Sequence, residues 1–314
     1  MNIIYIEPNF KKRKTYPYYT GLYEELVGVS NCYLYQKNIG HISEVLRKCP
    51  FKPDVIIFGL GWFSTGNFGK IKGLNKIDIP TICYLFKPQN DLFKKLNFCK
   101  INRFNMIITP NPAYKTYEDR TGITTTLFPY GTNPRIFKNW KNDKIYDFGF
   151  SGALHDSKHY IKGSFLTENI RSRVHNLLRK RKDLNCFLNG SDKKAPRIKK
   201  HTKYANIINS SKIWLSTPAA FQDMTPRYFE IGMSNTLIFC NSIPVEYQDI
   251  FIEGKNCVVF LDDCSNFEEK LDYYLKNDKE RKTITDNAYE DFHRNHTWAK
   301  RAEKLISRIK ELKK

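Results

Sequence analysis

The sequence has no apolar run that approaches the roughly 18 residues needed to cross a bilayer. Its first residues form a short apolar segment that ends at Glu7, without the basic start and small-residue cleavage site of a secretion signal. We therefore expect a cytoplasmic protein, soluble or at most peripheral at the inner surface of the membrane.

Paired cysteines are also missing. The eight cysteines form no CxxC pair and no cluster with histidine, and several, such as Cys83 and Cys240, lie within strand-like apolar segments. This scatter is typical of reduced cysteines in a protein core and argues against a disulfide framework or a structural zinc site. We predict that the chain binds no metal.

Acidic residues are few: 32 Asp and Glu stand against 52 Lys and Arg, which gives a net charge of +20. Such an excess favours polyanionic partners, including nucleic acid, anionic membranes and phosphorylated substrates. The alternative is an AT-rich genome, which also explains the abundant Lys, Asn, Ile and Tyr. The densest basic segment, residues 179–203, holds ten Lys or Arg against two Asp. It is either a polyanion-binding face or a solvated helix and loop.

The length of 314 residues suits two domains of about 150 residues each. Apolar runs separated by helical or loop segments predict buried parallel strands in βαβ units. In the first half these runs are residues 3–6, 54–59, 81–86 and 106–110, and the same pattern restarts at residues 146–152. We predict an α/β fold with two Rossmann-like parallel-sheet domains that face a central cleft.

The domain boundary is predicted in the turn-like segment 130–137, which contains Gly131 and Pro134. This gives a first domain of residues 1–133 and a second domain of residues 134–297. Residues 298–314 form an amphipathic helix, which we expect to cross back to the first domain.

The most informative segment is residues 225–240, where a short polar loop opens a helix and a buried strand follows. We expect Glu230 in the first helical turn, where its carboxylate can accept both hydroxyls of a ribose. Arg227 and the helix amides then face phosphate. On helix physics alone, the alternative is that Glu230 stabilises the dipole of its own helix.

This segment, with Arg227-Tyr228-Phe229-Glu230 at its start, resembles the signature of CgeB-like, spore-maturation-type glycosyltransferases. These are GT-B enzymes related to the group 1 glycosyltransferases. Three further segments resemble that family in the same order, and the likeness is weaker near residues 147–152 and 129–137. The first 120 residues match only as an α/β domain. The three segments are residues 247–256, 271–281 and 296–301.

The resemblance implies an enzyme that moves a sugar from a UDP- or GDP-sugar, its co-substrate, to a glycan, lipid-linked or protein acceptor. It implies no cofactor and no metal, and it favours retention of the anomeric configuration. The second domain would bind the donor and the first domain the acceptor. Glu230 would bind the donor ribose, Arg227 and the preceding loop would lie near the diphosphate, and Gly152 would face the phosphates.

The other donor-binding candidates lie near predicted strand ends or beside the same helix. Either Lys158 or Lys162 is expected to neutralise phosphate, although each also fits a solvated surface position. The Asn-Gly pair is either a contact to the base or an ordinary turn, and Gly61 belongs either to a loop over the donor sugar or to a strand exit. These candidates are Thr225, Pro226, Tyr228, Ser216, Lys158, Lys162, Asn189, Gly190 and Gly61.

Two acidic residues of the first half are candidates for catalysis. Glu7 and Asp91 lie near predicted strand exits, and either is a candidate general base if the reaction inverts configuration. The sequence departs from the family pattern at two places. Gln222 stands where related retaining enzymes often carry a carboxylate, and residues 233–235 replace a small-residue glycine turn.

Two other functions remain open. The first is a glycosyltransferase of the same fold that acts on modified bases in duplex DNA. The net charge favours it, but no DNA-reading element is recognisable. The second is a catalytically silent nucleotide-binding protein, which Gln222 keeps open.

Overall fold

The computed structural model describes residues 1–8, 17–61, 70–87, 91–154, 165–190, 198, 200–219 and 222–312. The chain divides into two compact units. Unit 1 consists of Met1–Gly131 with Trp298–Lys314, and unit 2 of Thr132–Thr297. Among the described residues, no helix combines the length and the apolar character required of a membrane span.

The described strands and helices alternate along the chain. The strands are β1 (Asn2–Ile6), β2 (Asn31–Tyr35), β3 (Ile39–His41), β4 (Val55–Phe58), β5 (Lys70–Lys72), β6 (Thr81–Tyr84), β7 (Met106–Thr109), β8 (Thr125–Leu127), β9 (Tyr146–Gly152), β10 (Cys186–Gly190), β11 (Ser211–Ser216), β12 (Leu237–Asn241) and β13 (Val258–Phe260). The helices are α1 (Pro17–Val29), α2 (Ile42–Lys48), α3 (Leu92–Ile101), α4 (Tyr114–Thr121), α5 (Phe165–Lys180), α6 (His201–Asn209), α7 (Pro226–Met233), α8 (Phe267–Lys276), α9 (Asp278–Asn295) and α10 (Trp298–Leu312). Short 3₁₀ helices span Leu74–Lys76 and Val245–Tyr247.

Unit 1 is built on a six-stranded sheet in the order β2-β1-β4-β6-β7-β8, in which every neighbouring pair is parallel. All residues of β4, β6 and β7 are buried, as expected of a parallel sheet covered on both faces. β3 and β5 form a separate parallel pair.

The C-terminal helix α10 packs within unit 1 through an apolar stripe of Trp298, Ala302, Leu305 and Ile309. Trp298 lies against α1 at Gly21, where a built Cβ would stand only 2.2 Å from the indole Cδ1. The buried Arg301 donates from Nε to the carbonyl oxygen of Pro129 at 2.9 Å. Close packing at a glycine thus joins the last helix to the first.

Unit 2 is built on a five-stranded parallel sheet in the order β10-β9-β11-β12-β13. The chain runs outward in one direction from β9 to β10 and in the other from β11 to β13. The order therefore reverses between β9 and β11, and open α/β sheets bind ligands at the carboxyl ends of strands at such a switch point. Here those ends are Gly152 and Ser216.

Asn189 and Gly190 are the last two residues of β10, so the alternative of an ordinary turn after the strand was wrong. They pair in register with Ser151 and Gly152 of β9. The side chain of Leu154 packs over Gly190, where a Cβ would lie 2.2 Å from Leu154 Cδ1. Gly152 and Gly190 therefore lie side by side at the carboxyl edge of the sheet.

We predict that Gly21→Ala lowers the free energy of unfolding by about 1–3 kcal/mol, because the added methyl group overlaps the Trp298 ring. Gly28→Ala is the matched control in the same helix, since no atom lies within 4 Å of its built Cβ. It should stabilise by about 0.5–1 kcal/mol through helix propensity. Urea unfolding of both variants measures the difference, and equal stability would contradict the described contact.

Candidate functional site

The carboxyl edge of the unit 2 sheet carries a close contact between β9 and α7. A Cβ built on Gly152 would lie 3.3 Å from the Nη1 atom of Arg227 and equally near the Phe150 ring. The absence of a side chain at position 152 thus lets the guanidinium approach the end of the strand. The structure brings together Gly152 and Arg227, two of the residues singled out from the sequence.

Pro226 sets where α7 begins. Thr225 is the N-cap, with an extended backbone (φ −94°, ψ 154°), and Pro226 is the first helical residue. An N-cap threonine usually accepts a hydrogen bond from an amide of the first turn. Here the Thr225 side chain makes no such bond. Its hydroxyl is available for another partner.

Three buried hydroxyl groups lie in this part of unit 2 without a hydrogen-bond partner among the described residues: Ser216 Oγ, Thr225 Oγ1 and Tyr228 Oη. Ser216 ends β11, whereas Thr225 and Tyr228 belong to the start of α7. Leaving a buried polar group unsatisfied costs about 1–3 kcal/mol, so such groups call for an explanation, such as a ligand or ordered water. All three are donor-binding candidates from the sequence.

Arg227 is held from its other side by α6. Its Nε donates to Tyr204 Oη at 3.1 Å, and Tyr204 packs edge-on against Trp214 of β11, with ring centroids 5.9 Å apart. Burial raises the pKa of the Tyr204 phenol, so this group stays neutral and accepts from the guanidinium. The hydrogen bond directs the positive charge of Arg227 to the carboxyl edge of the sheet.

Glu230 does not lie in the first helical turn, so that prediction was wrong. Because α7 begins at Pro226, Glu230 is its fifth residue, and no acidic residue occupies the first turn. This position weakens the alternative that Glu230 serves the helix dipole, which acts mainly on the first turn. The residue is half-buried, and its carboxylate has no hydrogen-bond or ion-pair partner in the described part of the chain.

Burial raises the pKa of Glu230 to about 7 from its ordinary value of 4.5, and the charge of Arg227 partly opposes this rise. Desolvation is therefore the larger effect. A carboxylate that is held this way, without donors, retains acceptor sites for the hydroxyls of a ligand.

Arg171 was missed by the sequence reasoning. It extends from α5, is 7% exposed, and donates from Nε to Thr217 Oγ1 at 2.7 Å. Its Nη2 donates to the carbonyl oxygen of Pro218 at 3.5 Å. Arg171 thereby positions the loop that leads from β11 toward α7. The signal in the sequence was its place directly beside the apolar stripe of Ile170 and Val174.

In unit 1, Glu7 follows β1 and is completely buried. Its Oε2 accepts a hydrogen bond from the backbone amide of Gly61 at 2.8 Å. Glu7 and Gly61, predicted separately as a catalytic and a donor-binding residue, are thus joined. This bond holds the turn after β4 against the end of β1.

Asp91 is the N-cap of α3 and has a left-handed backbone (φ 56°). It forms an ion pair with Lys94 at 3.2 Å, and both side chains are well exposed. A solvent-exposed pair of this kind contributes little to stability. Lys158 and Lys162 lie outside the described residues.

The basic segment that begins at residue 179 is partly neutralised in the structure. Arg181 contacts Asp183 and Asp272, each at 2.7 Å, and residues 191–197 and 199 lie outside the described part. Within the described residues, no group of three or more His, Cys, Asp or Glu side chains could hold a metal ion.

We predict that Glu230→Gln raises the free energy of unfolding by about 1–3 kcal/mol at pH 8 and has little effect at pH 5. The folded protein binds the Glu230 proton more tightly than the unfolded chain does. Its stability should therefore fall as the pH rises from about 4.5 to about 7.

Thermal unfolding of wild type and variant across this pH range measures the difference. Glu290→Gln is the control, because Glu290 is exposed on α9. A stability difference that does not change with pH would contradict the desolvation of Glu230.

Crystal structures of known proteins share the fold. HepE from Anabaena, in complex with UDP, aligns with a TM-score of 0.62 at 11% identity, over 99% of this chain and 100% of HepE. Sucrose-phosphate synthase from Thermosynechococcus elongatus aligns with a TM-score of 0.61 at 10% identity, over 99% and 98%. A glycosyltransferase from Rickettsia africae aligns with a TM-score of 0.59 at 13% identity, over 99% and 98%. The predicted fold class is confirmed: the chain has the GT-B fold.

Residues 171–307, less than half of the chain, match the family described as Glycosyl transferase-like. No curated protein matches the sequence. The matched region contains Arg171, Ser216 and all of α7. Together, the matched family and the GT-B fold support a glycosyltransferase.

Proposed function

We propose that the chain transfers a sugar from a nucleotide-sugar donor that binds at the carboxyl edge of the unit 2 sheet. The observation that carries the proposal is a set of polar groups in the same part of unit 2 as Arg227 to which the described residues offer no partner: three buried hydroxyls and the carboxylate of Glu230. Hydroxyl groups and a guanidinium suit a diphosphate, and a carboxylate suits the two hydroxyls of a ribose.

UDP is the nucleotide we propose to test first. HepE, which aligns with the whole chain, was crystallised with UDP and with UDP-glucose. In this proposal Glu230 accepts from the ribose, and Arg227 with Thr225 faces the diphosphate, whose charge grows as the glycosidic bond breaks. Gly152, Pro226, Tyr228 and Ser216 complete the proposed phosphate side, and Asn189 and Gly190 the side of the base.

For the acceptor we propose a glycan, a lipid-linked glycan or a protein bound by unit 1. The CgeB-like resemblance favours retention of configuration. If the reaction inverts, Glu7 and Asp91 stay the candidate general bases. Oε2 of Glu7 already accepts from the amide of Gly61, and Asp91 lies in a weak ion pair with Lys94.

A catalytically silent nucleotide-binding protein is the second candidate. Gln222, which stands where relatives often carry a carboxylate, has a left-handed backbone with φ of 59°. A non-glycine residue held there stores strain that is often found at functional sites. Nucleotide binding without hydrolysis or transfer of UDP-sugars would favour this second function.

We predict that Glu230→Ala weakens UDP binding at least tenfold, because a hydrogen bond to a charged group is worth about 1.5–3 kcal/mol. Calorimetric titration measures the affinity for UDP, and Glu290→Ala serves as the control. Wild-type affinity should also rise with pH through about 7, as Glu230 ionises, relative to that of Glu230→Gln. Unchanged affinity in Glu230→Ala would remove the basis of the proposal.

We predict that EDTA leaves sugar transfer largely intact, because cationic side chains and amides can neutralise the diphosphate. Turnover of a UDP-sugar, followed by released UDP with and without EDTA, tests this. Loss of activity that Mg²⁺ or Mn²⁺ restores would show that a metal, and not Arg227, neutralises the leaving group.

A further inference from the structure

Helix α3 of unit 1 exposes two large apolar side chains. Phe93 is 67% exposed and Ile101 is 60% exposed, whereas Leu96 and Cys99 on the other side of the helix are buried. Phe93 and Ile101 are eight residues apart, so they lie on one side of the helix about 12 Å apart along its axis. The exposed Asn97 lies between them.

Two grooves flank this exposed side of α3. One has a volume of about 450 Å³ and is lined in part by Lys72, Lys94 and Ile101. The other, of about 240 Å³, is lined in part by Phe93, Lys100 and Arg120. Each groove thus combines an exposed apolar side chain with two cations.

No carboxylate is among the described residues that line the two grooves. Asp91 at the start of α3 forms an ion pair with Lys94, and that pair is exposed to solvent. Glu118 and Asp119 belong to the neighbouring helix α4 but line neither groove. The Arg120 guanidinium lies over the Phe93 ring, 4.9 Å from its centroid, so cation and apolar group form one surface.

We infer that this surface, formed by Phe93, Lys94, Asn97, Lys100 and Ile101 of α3 with Lys72 and Arg120, docks on an anionic lipid bilayer. We name it the α3 face. Apolar side chains enter the boundary between headgroups and acyl chains, while flanking lysines and arginines bind lipid phosphates. Both components are present here within one helix and its immediate neighbours.

The apolar side chains decide between anionic partners. Against duplex nucleic acid, Phe93 and Ile101 would stay beside a charged backbone and gain nothing from burial. Against a bilayer, they leave water together with the stems of the surrounding lysines. The α3 face therefore fits an anionic membrane better than a nucleic acid.

The test is co-sedimentation of the full chain with vesicles of phosphatidylcholine alone or with about one-third phosphatidylserine. We expect at least tenfold tighter binding to the anionic vesicles. Phe93→Ser with Ile101→Ser, and separately Lys94→Glu with Lys100→Glu, should each reduce that binding at least tenfold. All four side chains are exposed, so thermal unfolding should be unchanged.

Matched controls separate the α3 face from the overall charge. Lys279→Glu with Lys282→Glu changes the net charge equally, but these exposed lysines belong to α9 of unit 2. Val245→Ser with Leu261→Ser removes two other exposed apolar side chains. Both controls should bind anionic vesicles as the wild type does.

Three results would overturn the inference. The first is a wild-type protein that does not bind anionic vesicles. The second is equal loss of binding in the α9 charge control, which would show that overall charge alone attracts the chain. The third is a chain that binds polyglutamate but not vesicles and loses this binding when Phe93 and Ile101 are replaced. That result would assign the α3 face to an acidic protein.

Discussion

The packing of Trp214 over Gly149 is the contact on which the geometry of the unit 2 site depends. A Cβ at position 149 would lie 2.0 Å from Trp214 Cε3, so only glycine lets the indole lie across β9. Trp214 then packs against Tyr204, whose hydroxyl accepts from Arg227, and Arg227 reaches the end of β9 at Gly152. Gly149 thereby determines the position of the Arg227 guanidinium at the carboxyl edge of the sheet.

The same edge collects several polar groups for which the described residues supply no hydrogen-bond partner. Three hydroxyls, those of Ser216, Thr225 and Tyr228, are buried there, together with the half-buried carboxylate of Glu230, whose pKa is about 7. Buried polar groups without partners cost stability. Natural proteins accept this cost mainly at functional sites, where a ligand supplies the missing partners.

The sequence predicted those strands and helices that depend on a local pattern of residues. Apolar runs identified the buried strands, and β9 has the bounds expected for the segment 146–152. The edge strand β2 was missed, since it is short and only half-buried. Contacts distant in sequence were beyond prediction: Arg171 reaches Thr217 across 46 positions, and Glu7 reaches Gly61 across 54. Glu230 falls outside the first turn because the helix already begins at Pro226.

The carboxyl edges of the two sheets differ in charge, and this difference supports the proposed division of labour. In unit 1 the edge at β1 is built around a completely buried carboxylate, Glu7, bound to a backbone amide. In unit 2 the edge is built around two guanidinium groups, Arg171 and Arg227, with neutral hydroxyls near them. A diphosphate is repelled by a buried negative charge and attracted by a positive one. At the ends of β1 and β11, the charges therefore favour unit 2 for the nucleotide, in agreement with the proposal that unit 1 binds the acceptor.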